Sequence, residues 1–474
     1  MNQTDLAFAS ALEQANLIRS KQISPLELVQ LYLERIQLLD DTLGSFFTVT
    51  ADKALADAAA KTEVLAQGVD ASLPPFFGVP IAIKDLNSVA GVRCTYGSKV
   101  MQENIATYDD AVTSRIKQAG FVILGKTATS EVGSLPYTEP EGFPPTRNPW
   151  NLDYTAGGSS GGAAAAVAAG LSPIAQGSDG GGSIRGPAFC CGLVGIKPAR
   201  GRVSYAPIGD AMNGIAANGS LGRTVADAAA LLDVMSGYVT GDPYWLLDPH
   251  PSFLTIAQQS ADQNIQPLRI AYSTSIAPIG EADTVCTQAV LDTAKTLERL
   301  GHQVEQNCPD CNGLEEPFTI VWRTGVSASG LPPEALEPFN RWLWEQQDSS
   351  GDYQKAVWTM QTISRRIVSF FDRYDVLLLP TYLHPAIRIG EWANLSPAEI
   401  LEKVVHWIAP CPIANATGLP AIAIPTGFSP EGLPIGVQLV GRPADESTVI
   451  ALAAQLEKVK PWSEARPKFG NVSM

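Results

Sequence analysis

Behind the stretch Ser24-Pro25-Leu26-Glu27, apolar residues recur at Val29, Leu33, Ile36 and Leu39, a spacing that gathers them on one face of a helix. The serine can cap that helix, the proline suits its first turn, and the glutamate completes a capping box. A second, alanine-rich helix is predicted over about 51 to 67. After it the run Val79 to Ile83, bounded by Gly and Pro, reads as a buried strand ending at Lys84. DAVTSRIKQAG followed by FVILGKT reads as helix, glycine stop and buried strand, half of a βαβ crossover.

The alternation continues along the chain. GGSSGGAAAAVAAG opens a helix at Ser159 or Ser160, and PIAQGSD follows as a strand. Thr224 caps the helix VADAAALLDVM, and LRIAYS pairs with HQVEQ across an intervening helix. DVLLLP, PAIAIP and LPIGVQLVG are three further strands, and ESTVIALAAQLEK is a closing amphipathic helix. Strands alternating with helices predict an α/β fold around one sheet. The regions from about 240 to 265 and 307 to 350 hold loop residues and scattered aromatics, without a clear linker or repeat.

Composition narrows the function classes. Hydrophobic residues make up 45% of the 474 and charged residues 17%, as in a folded protein with a large apolar core. The formal net charge of −15 opposes binding to nucleic acid or an anionic membrane. The N-terminal MNQTDLAFASALEQ lacks a basic, then apolar, leader pattern, and no run reaches membrane-spanning length, so a soluble, cytoplasmic protein is expected. Seven cysteines fit a reducing compartment. Cys308 and Cys311 form a lone CxxC without a second ligand pair, which reads as free thiols and not as a zinc site.

Three motifs compete for the chemistry. GFVILGKT, Gly120 to Thr127, matches the phosphate-loop pattern, but its four bulky apolar residues favour a strand over a phosphate-cradling turn. GGSSG, Gly157 to Gly161, matches the nucleophile elbow of α/β-hydrolases; an esterase of that kind would use Ser159 with His250, His302, His384 or His406. The elbow lacks its preceding strand, because NPWNLDYTAGG looks loop-like. The third is GSDGGGSIRG, Gly177 to Gly186. Successive amides of a glycine-rich turn can converge on one anion, so those of Gly180, Gly181, Gly182 and Ser183 form a candidate oxyanion hole for attack by Ser183. No histidine lies near Ser183 in sequence; Lys84, directly after an apolar strand, could serve as a desolvated, neutral base.

Together these pieces resemble the amidase signature family. The segment GGSSGGAAAAVAAGLSPIAQGSDGGGSIRGPA is similar to the family signature along its length, and FCCGLVGIKPARGRVS continues it. GVPIAIKD, ILGKT, RNPWN, the helix after GSLGRT, and ATGLPAIAIP with GLPIGVQLVG extend the likeness over about 25 to 457, more weakly from 240 to 370.

The resemblance implies one α/β domain spanning 1–474, with a mixed, twisted sheet wrapped by helices. Its signature core lies at about 60–235, a less typical region at about 240–370, and closing core strands and helix at about 371–457. It also implies a Ser-Ser-Lys triad in which Ser183 is the nucleophile, Ser159 the relay and Lys84 the base. Ser160, Asp179 and Arg185 support them, and no metal or organic cofactor is needed. The implied reaction is hydrolysis of a small-molecule carboxylic amide through an acyl-enzyme. The family alternative is the glutaminase subunit of a tRNA-dependent amidotransferase, and a homodimer would be ordinary. Gly180 stands where many members carry threonine or an aliphatic residue, which should loosen the pocket beside the oxyanion hole. Phe318, Trp322, Trp342, Trp344 and Trp358 read as core aromatics more readily than as pocket walls.

Overall fold

A computed structural model describes residues 2–68, 73–210, 212–262, 265–346 and 348–468. Among these residues eleven strands form one sheet. In chain order they are β1 (Phe46–Val49), β2 (Pro80–Lys84), β3 (Val122–Thr127), β4 (Ile174–Asp179), β5 (Val194–Lys197) and β6 (Ala217–Gly222). Then come β7 (Arg269–Tyr272), β8 (Gln303–Gln306), β9 (Val376–Pro380), β10 (Ala421–Phe428) and β11 (Pro434–Gly441). Across the sheet they run β1, β3, β2, β4, β6, β5, β10, β11, β9, β7, β8. The sheet is mixed: β2 is parallel to both β3 and β4, and β7 to β8 and β9, whereas the strands between β4 and β9 are antiparallel.

The local signals explain most of the elements. Ser24 caps the helix Pro25–Leu43 in a full capping box with Glu27, and Gly44, at φ +62°, closes it. Thr224 caps Val225–Met235. The phosphate-loop lookalike is strand β3, as its apolar residues dictate. LRIAYS and HQVEQ pair in parallel as β7 and β8 around the helix Thr284–Arg299.

Three expectations need correction. The segment before the SSGG pair does contain a strand, Asn151–Thr155, but it pairs with Arg147–Asn148 in a ribbon apart from the main sheet. The supposed loop region from 307 to 350 holds the helices Glu315–Ser327 and Pro338–Glu345. In the first of these Phe318 and Val321 are buried with Trp322 packed beside them, an i, i+3, i+4 face that neighbouring Gly and Pro residues obscured. Likewise Phe253–Asp262 is a helix.

The fold gathers chemistry at the carboxyl ends of β2 and β4. These parallel neighbours are in register at Ile83 and Gln176, so Lys84 ends its strand level with Gly177 and its amine reaches Ser178. The helix Gly161–Ala168 is buried at every residue. Its alanines let it lie deep in the interior before the chain returns along β4.

Candidate active site

Lys84 is fully buried at the end of β2. Its backbone N–H donates to Gln176 Oε1 at 3.1 Å. Its Nζ lies 2.8 Å from Ser159 Oγ, 3.0 Å from Ser178 Oγ and 3.3 Å from Ser178 O. Burial pulls the Lys84 amine down to about 7, against the opposing attraction of the Asp179 carboxylate. The amine is therefore substantially neutral near pH 7 and able to accept a proton.

The two serine loops meet because helix and strand double back on each other. The Ser160 N–H donates to Ser183 O at 3.2 Å, and Ser160 Oγ donates to Ser178 O at the same distance. Ser159 and Ser183 both line one cavity of about 930 Å³. Among the described residues no hydrogen bond joins their hydroxyls.

Asp179 and Arg185 brace the turn that carries Ser183. The Asp179 carboxylate accepts from the N–H groups of Gly182 at 2.8 Å and Ile184 at 3.1 Å, and from Arg185 Nε and Nη2 at 3.0 and 2.9 Å. Burial alone would raise its pKa. The Arg185 guanidinium outweighs that and holds the Asp179 carboxyl well below the usual carboxylate range.

The Gly182 contact corrects one expectation. Its amide points at Asp179, which leaves the amides of Gly180, Gly181 and Ser183 as the candidate oxyanion donors. Gly182 earns its place through conformation instead: φ is +124°, and an added Cβ would sit 2.8 Å from Cys411 Cβ. The space left by Gly180 is not open either, because a Cβ there would meet Met212 Cε at 2.9 Å.

Several supporting residues escaped the sequence reading. Ser178 touches Lys84 through both its oxygens. Arg185 also donates to Asn415 Oδ1 at 2.6 Å, Gln438 Oε1 at 2.8 Å and Cys411 O at 3.0 Å. Beside Lys84, Asp85 pairs with Lys126 at 2.7 Å, both fully buried, and also accepts from Thr95 N at 2.8 Å. A glutamine within the apolar VQLVG run was the available signal, since a buried polar group needs a partner. Phe318 and Trp322 line the cavity, whereas Trp358 is exposed.

The histidines stand elsewhere. None lines the cavity that holds Ser159. His302 accepts from Leu268 N and contacts Gln455, and His384 stacks on Trp407. Ser159 therefore answers to a lysine, and the α/β-hydrolase arrangement does not form.

The family model described as Amidase matches residues 27–450. The chain belongs to the amidase signature family. This family member is 55% identical to a Synechocystis sp. protein provisionally named an amidase, over 98% of this chain and 91% of that one. It is similar to the structure of 6-aminohexanoate cyclic dimer hydrolase complexed with substrate, at 32% identity and TM-score 0.89, covering 98% and 99% of the two chains. A bacterial aryl acylamidase of the amidase signature family matches at 27% identity and TM-score 0.86, covering 96% and 97%. Among the described residues no helix of this amidase signature protein is long and apolar enough to cross a membrane.

Proposed function

We propose that this protein is an amidase that hydrolyses a carboxylic amide through a Ser183 acyl-enzyme, with Ser159 as relay and Lys84 as base. The observation that carries the reading is the 2.8 Å approach of a buried, neutral-leaning Lys84 amine to Ser159 Oγ, at a cavity shared with Ser183.

In the proposed cycle, substrate brings Ser183 Oγ–H into hydrogen bond with Ser159 Oγ. Lys84 Nζ takes the Ser159 proton as Ser159 takes that of Ser183. Ser183 Oγ attacks the amide carbon, and the oxygen that becomes negative is met by the amides of Gly180, Gly181 and Ser183. Each such donor is worth roughly 3 kcal/mol in comparable chemistry. As the tetrahedral species collapses, the C–N bond breaks and the proton returns through Ser159 to the departing nitrogen. Water, deprotonated by the same relay, then cleaves the acyl ester and releases the carboxylate. Asp179 and Arg185 hold the turn, and Ser160 ties its two halves together. No residue in this scheme calls for a metal or organic cofactor. A cytoplasmic location, no nucleic-acid partner and assembly as a homodimer complete the proposal.

The test is amide hydrolysis by the wild type against Ser183→Ala, Ser159→Ala and Lys84→Ala. We expect each to lose at least about 10⁴-fold in kcat/KM, whereas single alanine substitutions of the four histidines stay within about threefold because none lines the cavity. A histidine variant as inactive as Ser183→Ala would reverse the assignment.

A further inference from the structure

The cavity lining is one-sided in charge. Ile276 and Ile279, Phe318 and Trp322, and Val404 and Ile408 form apolar walls from three separate parts of the chain. Among the described residues that line it there is no Lys, Arg or His; the charged ones are Asp110, Glu315 and Glu316. Of the residues outside the described set, none has a basic side chain. Asp110 is engaged by Asn87, Ser88 and Thr113, and Glu315 and Glu316 lie exposed at the start of the helix Glu315–Ser327. The nearby buried cations are not available to a ligand. Arg185 is matched by Asp179, and Lys84 sits behind Ser159 with its charge suppressed by burial.

We infer that the acyl part of the substrate is apolar and uncharged, and that amides bearing a free carboxylate are rejected. The inference rests on the amidase reading above. A carboxylate entering this space would lose its hydration with no counter-charge to replace it, a large penalty. The net charge of −15 opposes its approach as well. An apolar chain meets the opposite situation, since a cavity of about 930 Å³ can enclose a ligand of drug size. Glutamine carries a free α-carboxylate on the same short chain as its side-chain amide and so falls in the rejected class, which disfavours the glutaminase alternative on the same ground.

Two matched fluorophosphonate probes test this, one with a plain hexyl chain and one with a carboxylate ending the same chain. In either case Ser183 Oγ would bond to phosphorus, fluoride would leave and the proton would pass toward Lys84. Mass spectrometry of the intact protein follows labelling, with Ser183→Ala as the control. We expect the neutral probe to label at least about tenfold faster; a smaller ratio overturns the inference and leaves the amidase reading standing. Labelling by neither probe, with the fold intact by circular dichroism, overturns both.

Thr319→Arg then adds a cation on a half-buried wall of the cavity. It is expected to raise the rate of the anionic probe relative to that of the neutral one about fivefold or more. A folded variant with no gain for the anionic probe would show that missing cations are not the cause, and would overturn the inference.

Discussion

Lys84 makes activity and stability rise with pH in the same sense, over adjoining ranges. Only its neutral form can take a proton, so with the amine at about 7 the predicted kcat/KM rises between pH 6 and 8 and then levels. An unfolded chain keeps that lysine protonated up to its ordinary value of 10.5. Between about 7 and 10.5 the unfolded state therefore binds more protons, so this group's contribution to stability rises with pH. Lys84→Met should abolish turnover and raise Tm, by more at pH 7 than at pH 10. Thermal melts of both proteins at the two pH values check the sign. Gly180 makes a second test at this scale, because Met212 occupies the space its missing side chain leaves. Gly180→Thr should fold, since the obstructing atom is the mobile end of a side chain, and should shift preference toward smaller acyl groups. Met212→Ala should shift it toward larger ones, as kcat/KM over an acyl-length series would show.

At the level of elements, the loop-to-helix joint after Ser183 is the least tolerant part. Gly186 lies in the helix Arg185–Cys191, and a Cβ added there would collide with Tyr382, whose hydroxyl would be 1.7 Å away. Gly186→Ala is predicted to lower stability by about 1–3 kcal/mol through overpacking, measurable by urea unfolding. Tyr382→Ala in the same chain should recover part of the loss, although it opens a cavity of its own. Asp179→Asn acts on the other side of the joint. It leaves the buried Arg185 without its charge partner, and loss of one member of a buried pair costs about 3–5 kcal/mol. The expected result is a lower denaturation midpoint together with a fall in kcat.

Across the whole molecule, the sequence was most legible where function and periodicity coincided. Strand β2 ending at Lys84, the buried helix after Ser160 and the turn at Gly180 to Ser183 each carried a local mark that the fold then used. The mixed sheet was implied, but its strand order was not, because β10 and β11 pair with β5 and β9 over long sequence separations that local pattern does not encode. The same distance hid Asn415 and Gln438, which reach Arg185 from the far end of the chain. Gly182 misled for a different reason: a glycine run offers several amides, and only the folded turn shows which one Asp179 takes.

The central position of the β10–β11 hairpin has a consequence for synthesis. It fills the gap between β5 and β9 in the sheet, yet it is made after nearly everything else. Until residue 441 has left the ribosome, the nascent protein holds two sheet fragments with facing unpaired edges, open to sticking, and Arg185 lacks its distant partners. The site is therefore expected to complete itself only when the hairpin docks and closes both edges.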